Sequence, residues 1–160
     1  MPFIGIISKQ NTENCIRDGI LENINLRESS VLFIKEKSID NIKHIKFETV
    51  IIAREFKDIE SLKEILKNAT YLIINSDIES NLTLIQNIKA TVITFGFNSK
   101  ATITASSVED EEIFICLQRS IENKEGKNIE PQEIEMNIYK DASCSMAVAA
   151  VLLLYNALKI

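Results

Sequence analysis

Short apolar runs alternate with longer amphipathic segments through the first hundred residues. The runs at 3–7, 31–34, 49–53, 71–74 and 91–95 are almost wholly apolar and predict five strands. Segments 15–24, 58–68 and 80–88 carry apolar residues near helical spacing and predict intervening helices. Strands that do not alternate polar and apolar residues are typical of a parallel sheet covered on both faces. This half of the sequence therefore predicts a Rossmann-like, three-layer α/β unit.

The pattern changes after Gly96. Segments 101–107, 112–118 and 133–139 predict strands that extend one edge of the sheet in antiparallel fashion, with turn residues at 124–127. A final helix rich in Ala and Leu is predicted from about Ser145 to Leu158, with Asp141 or Ser143 as its N-cap. Because no repeat or linker interrupts the sequence, residues 1–160 predict a single α/β domain.

Composition and charge narrow the classes of partner. The chain is 46% hydrophobic and has a net charge of −5, so nucleic acid is not an expected partner. The apolar run from Met146 to Leu154 is too short for a membrane span, and the N-terminus lacks the features of a secretory signal. Three cysteines without zinc-ligand spacing indicate reduced thiols. These features predict a cytoplasmic protein that does not bind a membrane.

Ligands of an open parallel sheet collect where loops leave the carboxyl ends of the strands. The loop after the first predicted strand, Ser8 to Asn14, reads SKQNTEN and contains no glycine. A phosphate-cradling loop needs glycines so that backbone N–H groups can turn inward, and a lysine that reaches the terminal phosphates. Two interpretations stay open: an ordinary polar turn capped by Asn11 or Thr12, or a weakened anion site formed by Ser8, Lys9 and the helix N-terminus.

Polar residues also follow the fourth and fifth predicted strands. Asp77 could hold a ribose hydroxyl or a metal-bound water, or it could cap the helix predicted to begin near Ser80. Asn75 and Asn98 favour local turns. The full set of candidate ligand-binding residues is Ser8, Lys9, Asn11, Asn75, Asp77, Gly96 and Asn98.

The other chemically reactive residues favour structural roles. His44 is the single histidine and lies in a polar connection, so neither a catalytic triad nor a two-histidine metal site can form within one chain. Cys116 is predicted to be a core residue, whereas Cys144 is either structural or a thiol whose pKa is lowered by a helix N-terminus. The acidic run 109–112 predicts a solvated turn. We predict no catalytic residue and no metal site.

Three segments carry a resemblance to a known family. They read IINSDI from Ile73, VITFGFNSKATITASSV from Val92 and SMAVAAVLLLYNAL from Ser145. In this order they resemble the central ATP-binding domain of the Mur ligase family, whose members join amino acids to UDP-linked muramyl precursors. The resemblance extends from Phe3 to Leu158 and implies that Asn75 and Asp77 match an N-A-D-D type element.

The residues that serve catalysis in that family are replaced here. Its G-T-N-G-K-T-T loop aligns on residues 8–14, which supply neither its glycines nor its lysine, and its D-H-x-D element aligns on residues 54–57, which read REFK. Its H-N-x-x-N element falls on Ala142, Ser143 and Met146, and a carbamylated lysine would fall on Leu62, or on Lys63 after a one-residue shift. ATP-driven ligation is therefore not expected.

Two functional hypotheses follow from the resemblance and its gaps. The first is a non-catalytic Mur-ligase-like protein that binds a protein partner or small ligand, with a role in cell-wall metabolism and with homo-oligomer contacts through the apolar final helix. The second is a nucleotide or phosphate sensor, or small enzyme, with a remodelled site at Ser8, Lys9, Asn11 and Asp77. No cofactor is predicted, and ATP with magnesium would be one only if the altered loop still binds it.

Overall fold

The computed structural model describes residues 2–158 as an α/β fold. Its strands are β1 Ile4–Ile7, β2 Val31–Phe33, β3 Thr49–Ile52, β4 Tyr71–Asn75, β5 Thr91–Phe95, β6 Ile103–Val108, β7 Glu112–Leu117, β8 Ile121–Glu122, β9 Asn128–Ile129 and β10 Gln132–Asn137. Its helices are α1 Glu13–Asn23, α2 Ile39–Ile42, α3 Ile59–Leu66, α4 Glu79–Leu82 and α5 Ala142–Leu154.

Eight of these strands form one sheet with the order β10-β7-β6-β5-β4-β3-β1-β2, while β8 and β9 form a separate hairpin. Strands β1 to β6 run parallel, and β7 runs antiparallel to both β6 and β10. The predicted mostly parallel sheet with strands added at one edge is therefore confirmed. The strand predicted at 101–107 differs from its predicted orientation, because β6 pairs parallel with β5 and the antiparallel pairing begins at β7. The residues at 124–127, predicted as a turn, connect β8 to β9, whose pairing the apolar pattern did not predict.

The parallel strands are buried because a separate hydrophobic core lies on each face of the sheet. Ile4, Ile6 and Ile51 point into the core that contains α1 and α5. Ile7, Val50 and Ile52 point into the core that contains α3. Alternate residues of one strand thus enter opposite cores, which is why these strands read as continuous apolar runs.

Helix α5 lies at the centre of the first core. Every residue from Cys144 to Leu154 is at most 2% exposed, and Asp141 caps the helix by accepting a hydrogen bond from Cys144 N at 2.8 Å. The sequence-based premise that this helix leaves an apolar face free for a partner is therefore wrong, because the chain itself covers it. Within residues 2–158, no helix has the length and apolar character needed to cross a membrane.

The helix predicted over 80–88 is the main error in secondary structure. Helix α4 lasts one turn, a 3₁₀ turn follows at Thr83–Ile85, and Asn87 has a φ of +61°. Gln86 is already extended, with a ψ of +129°, and the left-handed Asn87 that follows also cannot continue a right-handed helix. The connection from β4 to β5 is consequently irregular, and Asp77 at its start contacts the loop that follows β5.

Candidate functional site

The strand order reverses at β1, because β2 lies on one side of it and β3 on the other. Ligands of open α/β sheets bind at such a reversal, outside the carboxyl ends of the strands. A cleft of about 890 Å³ lies here. We call it the lysine cleft, and its lining residues are Ser8, Lys9, Gln10, Glu13, Lys35, Glu36, Lys37, Arg54, Lys57 and Asp58.

A bidentate ion pair braces one wall of the lysine cleft. Arg54 donates to both carboxylate oxygens of Glu36, at 2.8 and 3.0 Å, and its Nε donates to the Ser8 carbonyl at 3.1 Å. The Lys57 backbone N–H also donates to Glu36 at 2.9 Å. The Arg54 hydrogen bond is the largest cause that holds the pKa of Glu36 at about 2, against the smaller, opposing effect of burial. The segments after β1, β2 and β3 are thereby fastened to one another.

The remaining charges of the cleft are mainly positive. Lys35 forms an ion pair with Glu13 at 3.1 Å. Among residues 2–158, Lys9, Lys37 and Lys57 have no carboxylate within 4.0 Å, and all three are exposed. The cleft therefore has three lysines available to an anion.

The loop after β1 does not cradle phosphate with its backbone. The Lys9 carbonyl accepts hydrogen bonds from the backbone N–H groups of Thr12 and Glu13 at 2.9 and 3.0 Å. Thr12 occupies the N-cap position, as one interpretation predicted, but its hydroxyl donates to the Lys9 carbonyl at 3.0 Å and makes no capping hydrogen bond to the helix. Glu13 adds a buried carboxylate at the helix start, where a phosphate would need positive charge.

ATP with magnesium, which the fold resemblance implies, does not fit the position of the family's phosphate loop. The N–H groups of Thr12 and Glu13 are already bonded to the Lys9 carbonyl within the turn, so they are not directed at a phosphate group. Among residues 2–158, no cluster of three or more His, Cys, Asp or Glu side chains is arranged to hold a metal ion.

Asp77 organises the loop after β5. Its carboxylate accepts hydrogen bonds from the backbone N–H groups of Phe97 and Asn98 at 2.7 and 3.0 Å, and from Asn98 Nδ2 at 2.7 Å. Burial raises the pKa of Asp77, but these hydrogen bonds outweigh it and hold the pKa below its ordinary value. The prediction that Asp77 caps the following helix is wrong, because Ile78 occupies the N-cap position of α4.

The asparagines among the candidate residues lie in three different places. Asn98 belongs to the Asp77 loop, and its side chain also donates to Ser76 Oγ at 2.8 Å. Asn75 lines a smaller cavity of about 230 Å³ together with Ser8 and Lys9, and its side chain accepts from Asp77 N at 2.9 Å. Asn11 is exposed, and its carbonyl accepts a hydrogen bond from Lys140. The predicted residues therefore do not form one site, and Ser8 and Lys9 alone among them line the lysine cleft.

One cysteine is placed as predicted and one is not. Cys144 is buried, and burial raises the pKa of its thiol, as does the neighbouring Cys15 sulfur, so the structural alternative for Cys144 holds and the alternative of a lowered pKa is wrong. Cys116 is half-buried, because the core-facing residues of β7 are Ile113, Ile115 and Leu117. His44 and the run 109–111 are exposed, in agreement with their predicted placement.

Sequence reasoning missed the residues that supply most of the charge in the cleft. Lys35, Lys37, Arg54 and Lys57 follow β2 and β3, and the strand-end rule applies to those strands as it does to β1. The segment REFK at 54–57 lacks the histidine of the family's D-H-x-D element. Its two cationic residues, Arg54 and Lys57, are the sequence signal that could have indicated a positively charged site.

Comparison with known proteins supports the fold. No protein-family model matches the chain, and no curated protein matches it. Among solved structures, a MurF ligase from Thermotoga maritima in complex with ADP is similar, with a TM-score of 0.53 and 11% sequence identity. The match covers 97% of this chain and 45% of that chain, so this chain spans less than half the length of the ligase. At this identity the likeness shows a Mur-ligase-like fold.

Proposed function

We propose that this protein is a non-catalytic, Mur-ligase-like binding domain whose lysine cleft holds a small anionic ligand through lysine side chains. The single observation that carries the proposal is the cluster of Lys9, Lys37 and Lys57 around a cleft at the strand reversal, each without a carboxylate within 4.0 Å among residues 2–158. The chain as a whole has a net charge of −5, so the lysine cleft is positively charged although the protein is negatively charged overall.

The charges of the cleft favour an anion with several oxygens. The cleft contains five cationic and three acidic side chains, and two of the acids, Glu13 and Glu36, are already paired with Lys35 and Arg54. Lysine ammonium groups are mobile point charges that bind phosphate oxygens without a fixed geometry. A phosphate or pyrophosphate group is therefore the ligand chemistry that this cleft suits.

A non-catalytic role is supported by the way the same groups are held. Phosphoryl transfer needs cations and backbone donors directed at the transferred group. Arg54 is instead fixed by Glu36 and the Ser8 carbonyl, and the Thr12 and Glu13 N–H groups are bonded to Lys9. The proposed function includes a role connected with cell-wall metabolism, because the fold resembles that of a Mur ligase.

Thermal unfolding in the presence of simple anions tests the proposal. We expect sodium pyrophosphate, at roughly ten times its dissociation constant, to raise Tm by about 3–5 °C, because a ligand that binds the folded state stabilises it. The triple variant Lys9→Gln, Lys37→Gln, Lys57→Gln should lose this shift. A shift with ADP or ATP that requires magnesium and survives in the triple variant would instead favour a nucleotide site elsewhere on the sheet edge.

A charge-matched control separates site binding from general charge screening. The triple variant Lys46→Gln, Lys89→Gln, Lys127→Gln removes the same charge from exposed positions outside the cleft. This control should keep the pyrophosphate shift. Equal loss in both triple variants would overturn the proposal, as would no shift in the natural sequence.

Self-association is a separate proposal, because helix α5 is buried within the chain and gives it no support. Phe97 is 62% exposed and lies at the carboxyl end of β5, on a loop fixed by Asp77. Its aromatic ring is the apolar surface on this loop that a second copy of the chain could cover. Light scattering at high concentration that gives a monomer of 18.1 kDa would contradict self-association.

A further inference from the structure

Two thiols that are 129 positions apart in the sequence meet between two helices. Cys144 Sγ lies 3.0 Å from Cys15 Sγ, and both cysteines are free. Cys15 is the third residue of α1 and Cys144 is the third residue of α5, so the first turns of the two helices lie side by side. The contact belongs neither to the lysine cleft nor to the Asp77 loop.

We propose that Cys15 and Cys144 form a reversible disulfide that fastens α1 to α5 when the protein meets an oxidant of the small-molecule disulfide class. A disulfide requires the two sulfurs to approach to about 2.05 Å, so they must move together by about 1 Å from their present separation. The change is small enough for side-chain and first-turn adjustments, because each cysteine is two residues from the start of its helix.

The two thiols have different exposure, which sets the order of the steps. Cys15 is partly exposed, whereas Cys144 is 2% exposed. The Cys15 thiolate attacks the small disulfide, a mixed disulfide forms on Cys15, and the first small thiolate leaves. Cys144 then loses its proton and attacks the Cys15 sulfur, and the second small thiolate leaves. The protein gives up two hydrogens, and one small disulfide becomes two small thiols.

The cross-link would also change stability. It closes a loop of more than a hundred residues, and cross-links that close long loops restrict the unfolded chain most. We expect Tm to rise by roughly 5–15 °C on oxidation and to return on reduction. The third cysteine, Cys116, lies in β7 and serves as an internal control, because the described contact of Cys15 and Cys144 excludes it.

The test is oxidation of the reduced protein with oxidised glutathione, followed by alkylation, intact mass measurement and peptide mapping. The expected product has lost about 2 Da, retains one alkylatable thiol and yields a peptide that joins Cys15 to Cys144. Cys116→Ser should give the same cross-link and the same Tm rise. Cys15→Ser, a change at a partly exposed position, should give neither.

Three results would overturn the inference. They are a glutathione adduct that persists on Cys15 without a cross-link, a cross-link that contains Cys116, and a covalent dimer in place of the intramolecular product. Each is read directly from the natural sequence by mass, so the outcome does not depend on whether Cys144→Ser folds.

Discussion

Asp77 fills the space that a side chain at residue 96 would occupy. A Cβ built on Gly96 would lie 2.6 Å from Asp77 Oδ1, and Gly96 has a φ of +153°. The Asp77 carboxylate can approach the backbone this closely because glycine has no side chain. The approach lets the carboxylate accept hydrogen bonds from the Phe97 and Asn98 N–H groups, so Gly96 serves to shape this loop.

Gly96→Ala should therefore destabilise the protein by about 3 kcal/mol, because it adds a clash with a fixed carboxylate to an unfavourable backbone conformation. Urea unfolding measures the loss. Gly126→Ala is the matched control, since Gly126 has a φ of +82° but the Cβ position lies an uncrowded 3.9 Å from Glu122 Oε1. That control should lose about 1 kcal/mol. Equal losses would show that the Asp77 contact adds nothing.

Asp77→Ala should lower the free energy of unfolding by about 1–3 kcal/mol, because it leaves the donors of Phe97 and Asn98 without their acceptor. It should leave pyrophosphate affinity unchanged, since Asp77 does not line the lysine cleft. Asp110→Ala, in the exposed turn between β6 and β7, should be nearly neutral. Lost anion binding at unchanged stability would instead assign Asp77 a ligand-binding role.

Glu36→Gln should destabilise the protein by about 1–3 kcal/mol at pH 7, a range discounted for the 27% exposure of its side chain. The pKa of Glu36 is lowered from 4.5 to about 2 by Arg54, so the fold favours the carboxylate. The stabilisation of the fold by the ionised Glu36 carboxylate is complete above pH 4.5 and is lost as the pH falls through about 2.

Urea unfolding at several pH values checks this sign. The difference in free energy of unfolding between the natural sequence and Glu36→Gln should narrow as the pH falls from 4.5 towards 2. Glu28→Gln removes a carboxylate that is 80% exposed and lies 3.9 Å from Arg17, so it should change stability little at any pH. If the difference in free energy of unfolding between the natural sequence and Glu36→Gln stayed constant down to pH 2, the ion-pair account would be contradicted.

Tyr155→Phe should cost about 1–2 kcal/mol, because the tyrosine hydroxyl bonds Thr49 Oγ1 at 2.7 Å and Glu48 at 2.9 Å, and Thr49 is fully buried. Burial raises the pKa of Tyr155, so the fold favours the neutral phenol and loses stability as the pH rises above 10. Alkaline titration of tyrosine absorbance should show a late step that Tyr155→Phe lacks. Tyr139→Phe, which removes a more exposed hydroxyl, should retain that step.

The sheet could be predicted because its strands are buried on both faces. Residues such as Ile6 and Ile7 enter opposite cores, so both are apolar and the strand is visible as an unbroken run. The segment after Asp77 has helical spacing of apolar residues, yet Asn87 adopts φ +61° and the helix stops after one turn. Spacing reports which residues can share a face, and backbone conformation decides whether the helix continues.

The site was less predictable because it depends on strand order. The Arg54–Glu36 pair forms only when β2 and β3 flank β1, and the sequence contains no local signal for that order. Cys15 and Cys144 meet for the same kind of reason, since α1 and α5 pack into one core on one face of the sheet. Contacts between distant segments are set by topology, which periodicity does not report.

The most direct test of the central claim is an NMR titration of the uniformly ¹⁵N-labelled protein with sodium pyrophosphate. The account predicts saturable shifts of backbone amide signals at Ser8–Lys9, Lys35–Lys37 and Lys57, which surround the lysine cleft. These shifts should disappear in the triple variant of Lys9, Lys37 and Lys57. Saturable shifts confined to other parts of the chain, or signals that stay unchanged up to about 10 mM pyrophosphate, a concentration at which even millimolar affinity would be visible, would contradict it.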